Sequence, residues 1–241
     1  MRTIIAALCG VLAASAMGIL TPAADAQTYT IKYVGDDASE VSTAYIGLNA
    51  VRKKGADSGA GEFDVIDIID RGTVIFLNHG AKTYRENSVE DIKNYLDQQS
   101  TKMNEARMRD PRVQERMRRM GVGEESTVEK LGPGENIAGY PTERYRLRGP
   151  MMQAELWITQ SLQFPAAYYR DFNILSGVSA PFGKWDKIIE LKGAILKRVV
   201  TIPGGMTLSE TATSVDKASI PASIFEVPAG YKQVPSKLGR D

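Results

Sequence analysis

Cysteine and histidine are nearly absent from this sequence, in which Cys9 and His79 are each the only residue of their type. Cys9 lies within an N-terminal stretch that we expect to be removed, and Leu8 before it is too large for a lipoprotein attachment site. The mature chain is therefore predicted to contain no thiol, which excludes disulfides and thiol catalysis. One histidine without any cysteine also leaves too few ligands for a zinc site.

The sequence also lacks an excess of either charge and a second long apolar run. The formal net charge is +1, and such a balance argues against a nucleic-acid-binding protein. Beyond the N terminus, no apolar run approaches the roughly 20 residues that a bilayer-spanning helix needs. We therefore expect no nucleic-acid partner and at most peripheral contact with a membrane.

The N terminus has the pattern of a cleavable export signal. Arg2 gives a positive start, Ile4 to Leu20 is apolar, Pro22 breaks the run, and Ala24-Asp25-Ala26 is a small-x-small cleavage site. We predict a signal peptide over residues 1–26 with cleavage after Ala26, and a soluble, unlipidated periplasmic protein. The alternative is an uncleaved anchor, which the short apolar stretch disfavours.

The remaining residues, 27–241, are predicted to form a single domain of about nine to eleven strands. Alternating apolar and polar positions mark strands both before and after a helical excursion. The strands on its two sides are expected to pair into one antiparallel sheet. The clearest strand patterns are Thr28–Val34, Ala44–Lys53, a meander of short strands over 63–86, Thr142–Arg148, Gln153–Thr159, Ala194–Ile202 and Met206–Val215.

The excursion spans residues 88–120 and is predicted to contain two helices. Ser88 is a suitable N-cap with Asp91 three residues later, and Asp110-Pro111 is a good start for a second helix. A third short helix is predicted over Phe164–Leu175. The resulting fold class is mainly β (α+β), with two or three helices.

A set of short motifs gives the sequence a family resemblance. They are Lys82-Thr83-Tyr84, Lys130-Leu131-Gly132, Ile137-Ala138-Gly139-Tyr140-Pro141, Tyr145-Arg146-Leu147, Glu155-Leu156-Trp157-Ile158 and Phe225-Glu226-Val227-Pro228-Ala229-Gly230-Tyr231. Their order and spacing resemble an uncharacterised family of exported bacterial domains of unknown function over most of residues 63–231. That family in turn resembles the periplasmic lipoprotein carriers and outer-membrane acceptors of the Lol system (LolA/LolB-like fold).

The resemblance implies a curved antiparallel half-barrel whose open side is covered by helices, with an apolar cavity between sheet and helices. It implies no catalytic or binding residue. It favours the binding or carriage of a hydrophobic ligand, such as an acyl chain or a lipoprotein tail. The alternative function is an envelope protein-interaction or stress-sensing module that uses the same sheet without a lipid.

Methionines and arginines are concentrated in the excursion and suggest a lid. Methionine adapts to varied apolar shapes, so these side chains are candidates for contact with a ligand, although ordinary core filling is the alternative. The arginines are candidates for contact with anionic headgroups or an acidic partner, against the alternative of a solvated helix face with internal ion pairs. The lid candidates are Met103, Met117 and Met120, and the headgroup or partner candidates are Arg112, Arg116 and Arg119.

Tyr145 and Trp157 lie on two strands that we expect to be adjacent, and they are candidates for lining the cavity or for core packing. His79 is expected in a solvent-facing turn, and the acidic row Asp64, Asp67 and Asp70 at solvated positions that do not share one strand face. The sequence thus predicts no enzyme, no cofactor and no metal site.

Overall fold

The structure is a computed structural model that describes residues 28–36, 41–55, 63–109, 111–112, 115, 127–148, 153–164, 168, 193–201, 207–236 and 238. The predicted signal peptide and the glycine-rich segment 56–61 lie outside the described residues. Short strands dominate the described part of the chain. In chain order they are β1 (Tyr29–Gly35), β2 (Val41–Ile46), β3 (Ala50–Lys54), β4 (Phe63–Ile68), β5 (Thr73–Asn78), β6 (Thr83–Ser88), β7 (Thr127–Pro133), β8 (Glu143–Arg148), β9 (Gln153–Thr159), β10 (Ala194–Thr201), β11 (Thr207–Lys217) and β12 (Lys232–Gln233).

All twelve strands belong to one sheet with the order β12-β6-β5-β4-β3-β2-β1-β11-β10-β9-β8-β7. Neighbours are antiparallel except for the short parallel pair β12 and β6. Strands that precede the helical excursion meet those that follow it where β1 pairs with β11, for example Ile31 opposite Val215. The prediction of one sheet built from both sets of strands is confirmed. The sheet is open, with β12 and β7 at its edges.

The described part of the chain contains twelve strands, so the predicted count of nine to eleven was too low. The stretch Ala44–Lys53, predicted as one strand, contains parts of two, β2 and β3. The chain turns between them, and the Gly47 N–H donates to the Ala50 carbonyl at 2.8 Å. The residues Gly47-Leu48-Asn49 include two typical turn formers, which explains the reversal.

The described residues contain one α-helix with defined bounds, α1 (Val89–Arg109), together with 3-10 turns at Ile69–Arg71 and Ala222–Phe225. The predicted cap is confirmed, because Ser88 Oγ accepts the Asp91 N–H at 2.9 Å. The expectation of two or three covering helices is not met in the described part of the chain. Most of the second and third predicted helices lie outside the described residues. No helix in that part is both long and apolar enough to span a membrane.

In the described part of the chain, most of the buried apolar residues fall into three clusters. The central cluster belongs to β1, β2, β3, β9, β10 and β11, with Ile137, Leu162 and Phe164 packed on it from loops. A second cluster belongs to β8, β9 and β10. The third lies on β4 and β5, where Phe225, Val227 and Tyr231 of the C-terminal segment cover it. Burial on this scale is the main source of stability in a chain predicted to lack disulfides.

Candidate functional site

The strands in the middle of the sheet carry both apolar and ionic side chains on one face, which we call the inner face. Opposite residues of an antiparallel pair share a face, and residues two apart along a strand also share it. The pairs Ile31–Ala44 and Ala44–Lys53 link β1, β2 and β3 in this way. The burial pattern of β1 confirms the assignment, since Tyr29 and Ile31 are buried whereas Lys32, on the outer face, is exposed.

Phe164 seals the apolar half of the inner face, where the central cluster lies. Its ring contacts Tyr29 edge-on, with centroids 5.6 Å apart, and Tyr168 edge-on at 4.8 Å. Tyr29 and Ile31 beneath it are almost fully buried. The apolar half of the inner face is thus closed by the side chains of Leu162, Phe164 and Tyr168, which lie outside the strands of the sheet.

Glu210 is the centre of the ionic half of the inner face. Its carboxylate accepts the Ser42 hydroxyl at 2.5 Å and pairs with Lys53 Nζ at 3.3 Å and with Arg198 Nη2 at 2.8 Å. The register places Glu210 opposite Arg198 and places Ser42 opposite Tyr33. We call Tyr33, Ser42, Lys53, Arg198 and Glu210 the Glu210 cluster. It brings two cations to one carboxylate.

Burial and charge shift the pKa values in the Glu210 cluster. Burial raises the pKa of the Tyr33 hydroxyl well above its usual value, with smaller contributions from Tyr168 and Glu210. Burial and then the charge of Arg198 lower the pKa of the Lys53 ammonium. Burial opposes ionisation of Glu210, but the charges of Lys53 and Arg198 together hold the pKa of its carboxyl below its usual value. The Glu210 carboxyl is therefore ionised at neutral pH.

The Glu210 carboxyl should contribute to the pH dependence of stability. Its pKa is lower in the folded chain than the ordinary 4.5, so the stabilisation is complete above that pH and is lost as the pH falls through the folded value. We expect Glu210→Gln to lose less stability on acidification than the wild type does. Urea unfolding from neutral pH to about pH 3 measures this difference.

Asp97→Asn is the matched control, since Asp97 is an exposed residue of α1. It should lose as much stability as the wild type between neutral pH and about pH 3. If Glu210→Gln also loses as much as the wild type, other carboxylates determine the loss of stability on acidification.

A second ionic cluster lies on the opposite face of β3, because Arg52 precedes Lys53 in the strand. Arg52 donates Nε and Nη2 to Asp64 Oδ2, at 2.9 and 2.5 Å. His79 Nε2 lies 3.1 Å from the same oxygen, and His79 Nδ1 lies 2.5 Å from the Tyr231 hydroxyl. We call these four residues the Asp64 cluster. Arg52 and Asp64 are buried, with only 8% and 4% of their side chains exposed.

The Asp64 cluster corrects two sequence expectations. His79 lies in a turn, as predicted, but its side chain is only 24% exposed and is held between Asp64 and Tyr231. Asp64 and Asp67 are buried rather than solvated, while Asp70 is exposed. The prediction that the acidic row does not share one face is confirmed, because Asp64 and Asp67 lie three apart in β4.

The Asp64 cluster fastens the C-terminal residues 222–236, which we call the C-terminal strap, to the sheet. Arg52 Nη1 donates to the Ile224 carbonyl at 2.8 Å. The Lys232 N–H donates to the carbonyl of Lys82, just before β6, and the Val234 N–H donates to the carbonyl of Tyr84 in β6, which continues the attachment. The strap thereby covers the third apolar cluster and gives Arg52 a structural role.

The two candidate aromatic residues lie on adjacent strands, as predicted, but on opposite faces of the sheet. Tyr145 is opposite Leu156, whereas Trp157 is opposite Arg144. Tyr145 packs in the second cluster and donates its hydroxyl to Glu143 at 2.7 Å. These two side chains therefore do not line the same cavity.

Trp157 packs in the central cluster and is enclosed by cations. Lys197 Nζ lies 4.6 Å from its ring centroid, and the Arg144 guanidinium lies 5.3 Å away. A Cβ at Gly134 would come within 2.8 Å of the Trp157 ring, so only glycine fits at this close approach. Its contacts are those of a packed core residue.

The lid candidates are placed only in part. Met103 lies within α1, and Arg112 is exposed. The candidates Met117, Met120, Arg116 and Arg119 lie outside the described residues. A groove of about 420 Å³ runs between the first turns of α1, the end of β6 and the C-terminal residues Ser236 and Leu238. Its lining is mainly polar, with Asn94 and Gln98 among its residues.

Over the described ranges, no group of three histidine, cysteine or acidic side chains is arranged to hold a metal ion. Sequence reasoning missed both ionic clusters, although the alternation of β3 already places Arg52 and Lys53 on opposite faces. The partners of these residues come from distant strands and could not be read from that pattern.

The chain belongs to the DUF4412 family, described as a domain of unknown function, whose model matches residues 30–231. The expected membership of a family of domains of unknown function is thereby confirmed. Among curated proteins, none matches the chain.

Two crystal structures of PNGF-II, in space groups C2 and P21, are similar at 14% and 15% identity with TM-scores of 0.46 and 0.45. Each match covers 88% of this chain but only 31% and 32% of the PNGF-II chains, so this chain spans about a third of their length. The function proposed below rests on neither structure.

Proposed function

We propose that this protein binds or carries a hydrophobic ligand, such as an acyl chain or a lipoprotein tail, without catalysing a reaction. The observation that supports the proposal is the central apolar cluster, which continues across six neighbouring strands from β9 to β3. At about 4.8 Å per strand, it extends over roughly 24 Å, enough to accommodate an extended acyl chain. The proposal includes a strongly curved, half-barrel-like sheet with this cluster on its concave side.

The side chain of Phe164 occupies the position that a ligand would take. It packs on Tyr29 and is itself covered by Tyr168, so in this state the apolar face is closed. A ligand would enter by displacing the side chains of Leu162, Phe164 and Tyr168 from the inner face and taking over their apolar contacts. Such an exchange costs little where one apolar surface replaces another.

The alternative, an envelope protein-interaction or stress-sensing module, predicts an exposed apolar patch. In the described part of the chain, the large apolar side chains that are exposed are Leu48 and Leu208. Leu48 lies in the turn between β2 and β3, and Leu208 lies near the start of β11, at the other end of the central strands. They do not form a joint patch, so ligand binding is the better supported of the two functions.

The proposal is tested on the full chain expressed in a bacterial host that exports proteins to a periplasm. We expect the periplasmic fraction to contain a chain that begins at Gln27, in keeping with the predicted export signal. Native mass spectrometry of that chain should show an additional mass that organic extraction removes and identifies as a lipid.

Chains without any bound lipid, recovered from a host with normal membranes, would count against carriage. A protein of the host recovered in a fixed ratio with the chain would instead favour the interaction module. Retention of residues 1–26 would remove the periplasmic assignment but not the binding proposal.

A further inference from the structure

The Glu210 cluster lies directly beside the apolar half of the inner face. Lys53 follows Val51 by two positions in β3, and Tyr33 follows Ile31 by two positions in β1. Residues two apart along a strand lie about 7 Å from each other on the same face. The inner face thus changes from apolar to ionic within one such step on neighbouring strands.

We propose that the Glu210 cluster binds the acidic headgroup of a single-chain anionic amphiphile, such as a fatty-acid carboxylate, whose chain lies on the central apolar cluster. This inference rests on the proposed function and adds the chemical class of the ligand. A headgroup at Lys53 and Arg198 would place the first carbons of the chain over Ala44 and Ile31.

The charge balance of the cluster carries this proposal. Lys53 and Arg198 share one carboxylate, and in the described part of the chain no second acidic side chain pairs with either of them. An arginine has five N–H donors and a lysine has three, more than Glu210 can accept. The cluster therefore has an excess of one positive charge and of hydrogen-bond donors, which suits an additional carboxylate.

The accessibility of the cations is consistent with an incoming ligand. The side chain of Lys53 is 43% exposed and that of Arg198 is 29% exposed, whereas Glu210 is only 16% exposed. An anion that approaches the cluster therefore meets the cations before the buried carboxylate. The hydroxyls of Ser42 and Tyr33 already donate to the Glu210 carboxylate and to the Ile195 carbonyl.

The test measures binding of dodecanoate and of dodecanol to the mature protein by isothermal titration calorimetry. We expect the wild type to bind dodecanoate about tenfold more tightly than dodecanol, as for one additional charged hydrogen bond. Lys53→Gln and Arg198→Gln should each remove about this factor for dodecanoate and leave dodecanol unchanged. Lys32→Gln, on the outer face, is the matched control and should change neither.

Glu210→Gln gives the opposite sign. Removing the carboxylate raises the positive excess, so the affinity for dodecanoate should increase severalfold, which a purely structural ion pair would not produce. Thermal melts followed by circular dichroism identify any variant that does not fold. If Arg198→Gln does not fold, Lys53→Gln decides the test, because the side chain of Lys53 is the more exposed of the two.

The remaining outcomes would contradict different parts of the inference. Equal binding of dodecanoate and dodecanol, without an effect of any variant, would overturn the headgroup site and leave the proposed function intact. Binding of butyrate as tight as that of dodecanoate would show a plain anion site without a role for the chain. Absence of binding by both long-chain ligands would overturn the proposed function and this inference with it.

Discussion

Arg52→Met should lower the free energy of unfolding by about 3–5 kcal/mol, the usual cost of leaving one buried charge without its partner. The substitution removes two hydrogen bonds to Asp64 Oδ2 and one to the Ile224 carbonyl. Among the described residues, His79 Nε2, at 3.1 Å, is then the remaining side-chain nitrogen close to that oxygen. The C-terminal strap should detach before the rest of the sheet unfolds, because Arg52 holds it.

Urea unfolding of Arg52→Met measures the loss, and the double variant Arg52→Met/Asp64→Leu is the decisive comparison. Replacing both charges by apolar side chains removes the unpaired carboxylate, so most of the lost stability should return. Lys130→Met is the control for an exposed pair, since Lys130 is 55% and Glu143 is 39% exposed, and it should cost at most about 1 kcal/mol. A loss in Arg52→Met as small as in this control would contradict the role of the Asp64 cluster.

The single histidine offers a second readout of the same event. Its ring signals in an NMR spectrum need no assignment, because His79 is the only histidine in the chain. In the wild type, both ring nitrogens have a side-chain partner, Asp64 and Tyr231. Detachment of the strap in Arg52→Met should shift these signals towards those of a solvated histidine at urea concentrations below global unfolding.

Local pattern explains why much of the fold could be predicted from the sequence. The alternation in Thr28–Val34 reports burial on one side of a strand, and β1 lies there; Gln153–Thr159, also predicted as a strand, is β9 and is buried on both faces. The cap at Ser88 involves only three residues of chain, and it is present. Where the pattern did not change at a turn, as at Gly47-Leu48-Asn49, two strands were predicted as one.

Long-range partners explain why the candidate site could not be predicted in the same way. Tyr231 lies 152 residues from His79, and Glu210 lies 168 residues from Ser42. The local sequence shows no partner for a turn histidine and therefore places His79 in solvent, but the return of the strap to β6 brings Tyr231 to its ring and partly buries it. The order of the strands in the sheet decides which ionic residues meet. The apolar and polar period within a strand does not reveal that order.

Strand register explains the separation of Tyr145 and Trp157. The sequence indicates two adjacent strands, but a shift of one residue in their pairing exchanges the two faces. In the structure Trp157 is opposite Arg144, so Tyr145, the next residue along, points to the other side. Two aromatic residues on neighbouring strands therefore support a common cavity only once their register is known.

Phe164→Ala should have the second large effect, and it acts on stability and binding in opposite directions. Phe164 is 8% exposed and packs between Tyr29 and Tyr168, so its truncation should cost about 3–5 kcal/mol in the free energy of unfolding. The cavity that remains is lined by apolar side chains, and such cavities bind apolar ligands. If the Phe164 side chain occupies the ligand site, the truncated protein should bind dodecanol more tightly than the wild type.

Leu77→Ala is the matched control for Phe164→Ala, because Leu77 is fully buried in the third cluster, apart from the central cluster and from the Glu210 cluster. It should cost about 2–5 kcal/mol and leave dodecanol binding unchanged. Calorimetric titration and urea unfolding of the two variants separate a loss of packing from the opening of a site. A gain in dodecanol binding in both variants would reflect general loosening of the core, and a gain in neither would mean that Phe164 is a core residue that no ligand replaces. Only a gain confined to Phe164→Ala links the apolar half of the inner face to ligand binding, since the two variants lose similar packing and differ in which cluster they open.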